Sequence, residues 1–498
     1  MKVLFFYIGT PSPILETEFE LIRKHEKAGD MVRVIQCSGS LSNCHWNLNH
    51  IESQCSQCRS RYKNGWDALN PGASVELKQF PPGEELNSNT PLVFDTLDDI
   101  SRYRYDNENI GYGVIASLVS RTRDHRFDTQ KYRKEVLLGL SSAVQVYKTL
   151  KTELTEFNPD RVYFFNGRIF THLPANLLCK KLGIDFFTYE VSRKYNSYRL
   201  HENKTNHDVI TNDEVILFDS TWDKDKEKIG NIILKKMRSG GSLGKRKVFT
   251  QDQRKGALPE GFNYTKKNIA VFNGTIDEYA GIENRGNCIY KPDETAGIYR
   301  ILQSFESDSR FFFYLRVHPH MKDVPKGISQ LRDIRKLSSR FSNIFVIWPE
   351  ESVDTYALLD ACEKTLTFGS TVGVEATYWG KPSILADHAK FQNFNYAYMP
   401  KTHNELVELI CADLKPKPPI SAAKIIYLIS YDGVSYKYFK ETKDKNGNIK
   451  MTLDGVEIKA NTLPSLYNWL YMFPSRLKRG FMKPSLILEK LKKCKNLF

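Results

Sequence analysis

Two sets of residues in this chain have types and spacings that can do chemistry. The first is spread over the second half, where Thr275 follows the apolar run NIAVFNG, Arg316 and His318 lie in RVHPH, and Ser370, Thr371 and Glu375 lie in TLTFGSTVGVEATYWGKPSIL. Hydroxyls, backbone amides at a helix start and an imidazole are groups that hold a phosphate. Gly369 and Gly373 bracket a sharp turn, and Gly380 followed by Lys381-Pro382 stops the short helix after it. With Thr371 as N-cap, a capping box would need its acid at position 374, which is Val374. Glu375 therefore answers either to the general preference for acids near a helix start or to ribose hydroxyls beside the phosphate. Pro319 fixes the turn that aims His318, and the plainer alternative there is a solvent-facing His-Pro turn. Ser352 and Asp354 open a further helix and read as caps.

The second set is Cys37, Cys44, Cys55 and Cys58, spaced C-x6-C-x10-C-x2-C. A chance spread of nine cysteines puts only about 0.4 in a window of that length, so the clustering suggests a metal. Four thiolates close a tetrahedral structural zinc site, which stabilises an insertion with little core of its own. An iron-sulfur cluster uses the same ligands, His45 or His50 can replace a cysteine, and reduced unliganded thiols are the plain alternative. Cys179, Cys288, Cys362, Cys411 and Cys494 stand alone.

These residues must be positioned by strands and helices. KVLFFYIG, an amphipathic helix over 16–30 and MVRVIQC make a βαβ opening, and the cysteine-bearing segment follows as an insertion to about Trp66. Long helical patterns then reach Leu154, and RVYFFNG and DFFTYE return as strands around THLPANLLCKKLG. The polar, lysine-rich stretch near 201–267 reads as a connection, after which NIAVFNG, FFFYLRV, NIFVIWP, TLTFG and SILAD restart the alternation. The expected architecture is α/β, with two Rossmann-like domains facing a cleft. The expected boundaries are 1–210 for the first domain, 211–265 for the connection, 266–435 for the second domain and 436–498 for an extension with a basic tail. At 498 residues the chain exceeds one ordinary core, and 72 Lys and Arg against 58 Asp and Glu give a net charge of +14, which suits an anionic partner. The basic residues are dispersed and the phosphate motifs sit at strand ends, which argues against a nucleic-acid-binding zinc protein.

The order of FNGT, RVHP, SVDTY and FGSTVGVEATYWGKPSIL resembles the C-terminal domain of GT-B glycosyltransferases that build bacterial capsule and surface polysaccharide. Its His-Pro and Ser/Thr elements are similar to those of bacterial sialyltransferases, capsule Kdo transferases and CDP-glycerol glycerophosphotransferases. The resemblance implies that His318, Ser370 and Thr371 contact the donor phosphate and that Glu375 lies near the ribose; Thr275 and Arg316, at strand ends, are read from their own positions as members of the same nucleotide site. In the first half, FFNGRIFTHLPANLLCKKLGIDFFTYEVSR looks like the acceptor half of capsule transferases, which makes Asn166 and Arg168 acceptor residues. Glycosyl transfer needs a base for the acceptor hydroxyl, and the strand-end Glu190 is of the right type. Those relatives often carry a glycine after the acid, where this chain has Val191; Asp106 is the reserve candidate. The partners implied are a nucleotide-sugar donor and a polysaccharide or lipid-linked acceptor, with no catalytic metal; a polyol-phosphate transferase or a GT-B-shaped nucleotide-sugar epimerase are the rivals within the fold. The start MKVLFFYIGTPSP reads as a first strand rather than a signal peptide, and the expected location is cytoplasmic. From Arg476 onward the tail mixes basic and apolar residues, a composition that can rest on an anionic membrane face or pack back on the protein.

Overall fold

The computed structural model describes residues 1–9, 11–82, 93–245, 248–276, 289–443 and 449–459. The first half is built on β1 (Lys2–Tyr7), β2 (Met31–Gln36), β3 (Val75–Gln79), β4 (Arg161–Phe165), β5 (Asp185–Val191) and β6 (Ser197–Glu202). The second half is built on β7 (Lys267–Phe272), β8 (Phe311–Arg316), β9 (Ile344–Ile347), β10 (Lys364–Thr367) and β11 (Ser383–Leu385), and β12 (Val434–Ser435) returns to the first sheet. These strands form two sheets, in the orders β12-β6-β5-β4-β1-β2-β3 and β11-β10-β7-β8-β9, and Phe439–Lys443, Ile449–Leu453 and Val456–Glu457 form a third, antiparallel one. The second sheet is wholly parallel, and in the first only β6 and β12 run against their neighbours.

β1 shows why these runs are uniformly apolar. Leu4 and Phe6 face one core, and Val3, Phe5 and Tyr7 face another, so helices cover both faces of the sheet. The second sheet repeats this, with Ile269 and Val271 on one face and Ala270 and Phe272 on the other. Burying each large side chain contributes about 1.5–3 kcal/mol, which makes these strands the fixed frame from which the turns project. Two parallel α/β sheets with the carboxyl ends of their strands turned to a shared cavity make the GT-B arrangement expected from the sequence.

One segment differs from the expected layout. The cysteine-bearing stretch is not a separate insertion but the crossover between the parallel strands β2 and β3, a loop followed by helix Glu52–Leu69, which carries Cys55 and Cys58. Within the lysine-rich connection, helix Lys224–Arg238 buries Ile233, Leu234 and Met237 against Ala422 and Ile426 of helix Pro419–Ser430. The halves also meet at residues 124–126. His125 Nε2 lies 3.0 Å from Asp293 Oδ2, Ser329 N–H donates to Asp124 Oδ2 (3.2 Å), and Arg126 pairs with Asp333. No helix among the described residues is long and apolar enough to cross a membrane. The basic tail, residues 460–498, lies outside the described residues, as do Cys288 and Cys494.

Candidate functional site

A cavity of about 610 Å³ lies between the two sheets and is lined from both. On the second-sheet side, the turn after β7 holds Asn273, Gly274 and Thr275. Asn273 is buried, and its Oδ1 accepts the backbone N–H of His318 (2.9 Å), which ties this turn to the one after β8. The same asparagine donates through Nδ2 to Glu294, whose carboxyl also accepts the Gly274 N–H (2.9 Å); burial pushes this acid up to about 8. His318 Nδ1 accepts the N–H of His320 (3.2 Å), which in the neutral ring places the proton on Nε2. That tautomer is a hydrogen-bond donor to an anion. Arg316, at the end of β8, is buried and donates to the Glu351 carbonyl (3.1 Å) while lining the cavity.

The turn after β10 completes this wall. Gly369 has a φ of +80°, which side-chain-bearing residues rarely adopt. A Cβ at Gly373 would meet Ser383 Oγ at 2.8 Å and Thr367 Oγ1 at 2.9 Å, so glycine lets helix Val372–Tyr378 sit directly on β10 and β11. Thr371 occupies the N-cap position as expected, yet its backbone is already helical and its side chain makes no capping bond. Ser370, Thr371 and Glu375 all line the cavity. Glu375 accepts from the hydroxyl of Tyr356 on helix Thr355–Ala361, a helix that Asp354 caps at the Tyr356 N–H (2.9 Å).

On the first-sheet side, Glu190 is the penultimate residue of β5 and faces the cavity. Asn166, held at a φ of 61°, donates to Glu190 Oε1 (2.7 Å) and accepts the Arg168 N–H (3.1 Å). Burial pushes the Glu190 carboxyl up to about 7, against the opposing pull of the Asn166 hydrogen bond and of Arg168, Lys390 and Arg199. Lys390 comes from the loop after β11, and its ammonium donates to Asn206 Oδ1 (3.0 Å). Burial, reinforced by Arg199 and Arg193, brings Lys390 down to about 7. Each of the two groups acts electrostatically on the other, Lys390 lowering the Glu190 value and Glu190 raising that of Lys390.

Thr275, Arg316, His318, Ser370, Thr371, Glu375 and Glu190 thus meet at one cavity. Asn166 touches it through Glu190, and Arg168 stands behind Asn166. Asp106 is elsewhere, accepting from Tyr147 Oη (2.8 Å) and Lys151 Nζ (2.9 Å), which hold its carboxyl well below the usual range. Cys37, Cys44, Cys55 and Cys58 line a different cavity. Sequence reasoning missed Asn273, Arg199, Asn206, His207 and Lys390, all of which line the main cavity. Asn273 had a signal, its place in FNGT at a strand end; Lys390 had none, because only the tertiary fold brings its loop to Glu190.

No family model matches the chain, and no curated protein matches it. Among solved structures, it is similar to KpsC of Thermosulfurimonas dismutans, a β-Kdo 2,4 transferase, at 12% identity over 54% of this chain and 79% of that one, with a TM-score of 0.33. The UDP-GlcNAc 2-epimerase of Neisseria meningitidis bound to UDP-GlcNAc matches at 14% identity over 86% and 98%, with a TM-score of 0.28. The glycotransferase of kitacinnamycin matches at 12% identity over 86% and 94%, with a TM-score of 0.24. At identities and scores this low, the reading of function rests on the cavity itself.

Proposed function

We propose that this chain is a glycosyltransferase that moves a sugar from a nucleotide-activated donor to a bacterial capsular or surface saccharide. One observation carries the reading: a carboxyl poised near neutrality, Glu190, shares a cavity with the hydroxyl and imidazole groups of the opposite wall. Glu190 in its ionised form takes the proton of the acceptor hydroxyl as that oxygen attacks the anomeric carbon of the donor. Negative charge then grows on the departing nucleotide phosphate. His318 Nε2–H and the Ser370 and Thr371 hydroxyls face that charge, and Arg316 and Lys390 add positive potential. Glu375 takes the ribose hydroxyls.

A thermal-shift screen with CMP, CDP, UDP and GDP tests the nucleotide site, because a ligand that binds only the folded state raises its apparent stability. Labelled donor incubated with and without saccharide acceptors then tests the reaction. Acceptor-dependent transfer supports the proposal. Conversion of the donor without an acceptor would move the assignment to an epimerase, and transfer from CDP-glycerol to a polyol-phosphate transferase. Failure of every nucleotide to raise the melting temperature would overturn the site assignment.

A further inference from the structure

The glycosyl-transfer reading leaves the four clustered cysteines unused. They line a cavity of about 480 Å³ at the carboxyl ends of β1 and β2, separate from the main one. Cys37 follows β2, Cys44 lies in the loop after it, and Cys55 and Cys58 sit three residues apart on helix Glu52–Leu69, on one face. Electrostatic neighbours link the set: Cys44 to Cys37 and Cys58, Cys55 to Cys37, and Cys58 to Cys37 and Cys55. A single point one Cβ away from Gly9 is 3.6 Å from Cys44 Sγ and 3.8 Å from Cys58 Sγ.

Polar groups surround the sulfur atoms. Backbone N–H groups of Gly39, Ser40 and Leu41 point at Cys37 Sγ, and those of Trp46 and Asn47 at Cys44 Sγ. Asn47 Nδ2 donates to Cys55 Sγ (3.3 Å), and Tyr7 Oη lies 3.2 Å from Cys58 Sγ. Such outer contacts orient thiolate ligands and offset their charge. The spacing of the sulfurs discriminates between metals. In a zinc tetrahedron with Zn–S bonds of about 2.3 Å, the sulfurs stand ~3.8 Å apart. Among the described residues, however, the one set of three or more candidate ligand atoms lying within 4.8 Å of each other is His50, Glu52 and Cys55. No three of the four sulfurs are that close. In a cubane each thiolate binds its own iron across a bulky core, so its sulfurs need not approach one another as they do around a single ion, and four cysteines around an open cavity meet that requirement. The His50 set is weaker as a site, since Glu52 is exposed and paired with Arg59, and His50 Nδ1 bonds the Ser42 carbonyl (3.0 Å).

We infer that Cys37, Cys44, Cys55 and Cys58 ligate an iron-sulfur cluster of the four-iron type, seated at the end of β1 and β2 in the first half of the molecule.

The test is iron, zinc and acid-labile sulfide analysis of the full chain purified without oxygen, with its visible absorption spectrum. About four irons and four sulfides per chain, with a broad band near ~400 nm that bleaches on reduction, are expected. Cys55→Ser and Cys58→Ser should each lose most of the iron, whereas Cys411→Ser, at an exposed isolated position, should keep it. If the ligand variants do not fold, the wild-type stoichiometry decides alone. Stoichiometric zinc without sulfide would overturn the cluster in favour of a mononuclear site, and metal that survives Cys58→Ser but is lost in both Cys55→Ser and His50→Ala would move it to the His50 set. Protein free of both metals after anaerobic purification would leave plain thiols and end the proposal.

Discussion

The two walls of the main cavity are built on different principles. The second-sheet wall is made of turns at adjacent strand ends, tied together by Asn273 and the buried Glu294, with the hydroxyls of Ser370 and Thr371, the His318 imidazole, Arg316 and Glu375 lining the cavity. The facing wall brings together two ionisable groups displaced from their ordinary values, Glu190 of the first sheet upward and Lys390, reaching over from the loop after β11, downward, each to about 7. On the proposed function, one wall holds charge that arrives with a ligand and the other moves a proton. Binding and turnover should therefore fail separately when each wall is altered.

The largest expected effect is on turnover. Glu190→Gln keeps the size of the side chain but cannot accept a proton, so kcat should fall by roughly 10²–10⁴-fold while the donor KM changes little. An equal loss in donor affinity would mean that Glu190 belongs to the binding wall. The next effect is on pH dependence. Turnover should rise as pH increases through about 7, where Glu190 ionises. Lys390 pulls that value down, so in Lys390→Met the ascending limb of the pH–rate profile should move to higher pH. A profile that stays in place would remove Lys390 from the proton-moving wall.

The smallest effect is on stability. The folded-state pKa of Glu190 lies above its ordinary value of 4.5, so the folded chain holds a proton there that the unfolded chain releases. The stability contributed by that protonated carboxyl is complete below pH 4.5 and is lost as pH rises through about 7. Glu190→Gln keeps a neutral side chain throughout. Its melting temperature relative to wild type should therefore increase from pH 5 to pH 8, and a constant difference would contradict the buried-acid assignment.

The contrast between the walls also explains what could be read from the sequence. The binding wall was legible because a strand end, a turn residue and the next helix are consecutive in the chain, as in Gly369 to Glu375. The uniformly apolar strands announced two sheets covered on both faces, as β1 and β7 are. Glu190 was found because it ends a strand. Lys390 and Arg199 were not, because their closeness to Glu190 comes from segments far apart in the chain. The crossover that carries Cys55 and Cys58 was misread as an insertion because helix Glu52–Leu69 is largely polar, with only Tyr62, Gly65, Ala68 and Leu69 buried. Its apolar stripe is too thin to announce a helix packed on a sheet.

The division between the walls is tested most directly by calorimetric titration of the best-stabilising nucleotide into wild type, His318→Ala and Glu190→Gln. The account predicts that His318→Ala weakens binding by about 1–3 kcal/mol, the scale of a charge-assisted hydrogen bond, while Glu190→Gln binds as wild type does. Unchanged affinity in His318→Ala, or a comparable loss in Glu190→Gln, would contradict it.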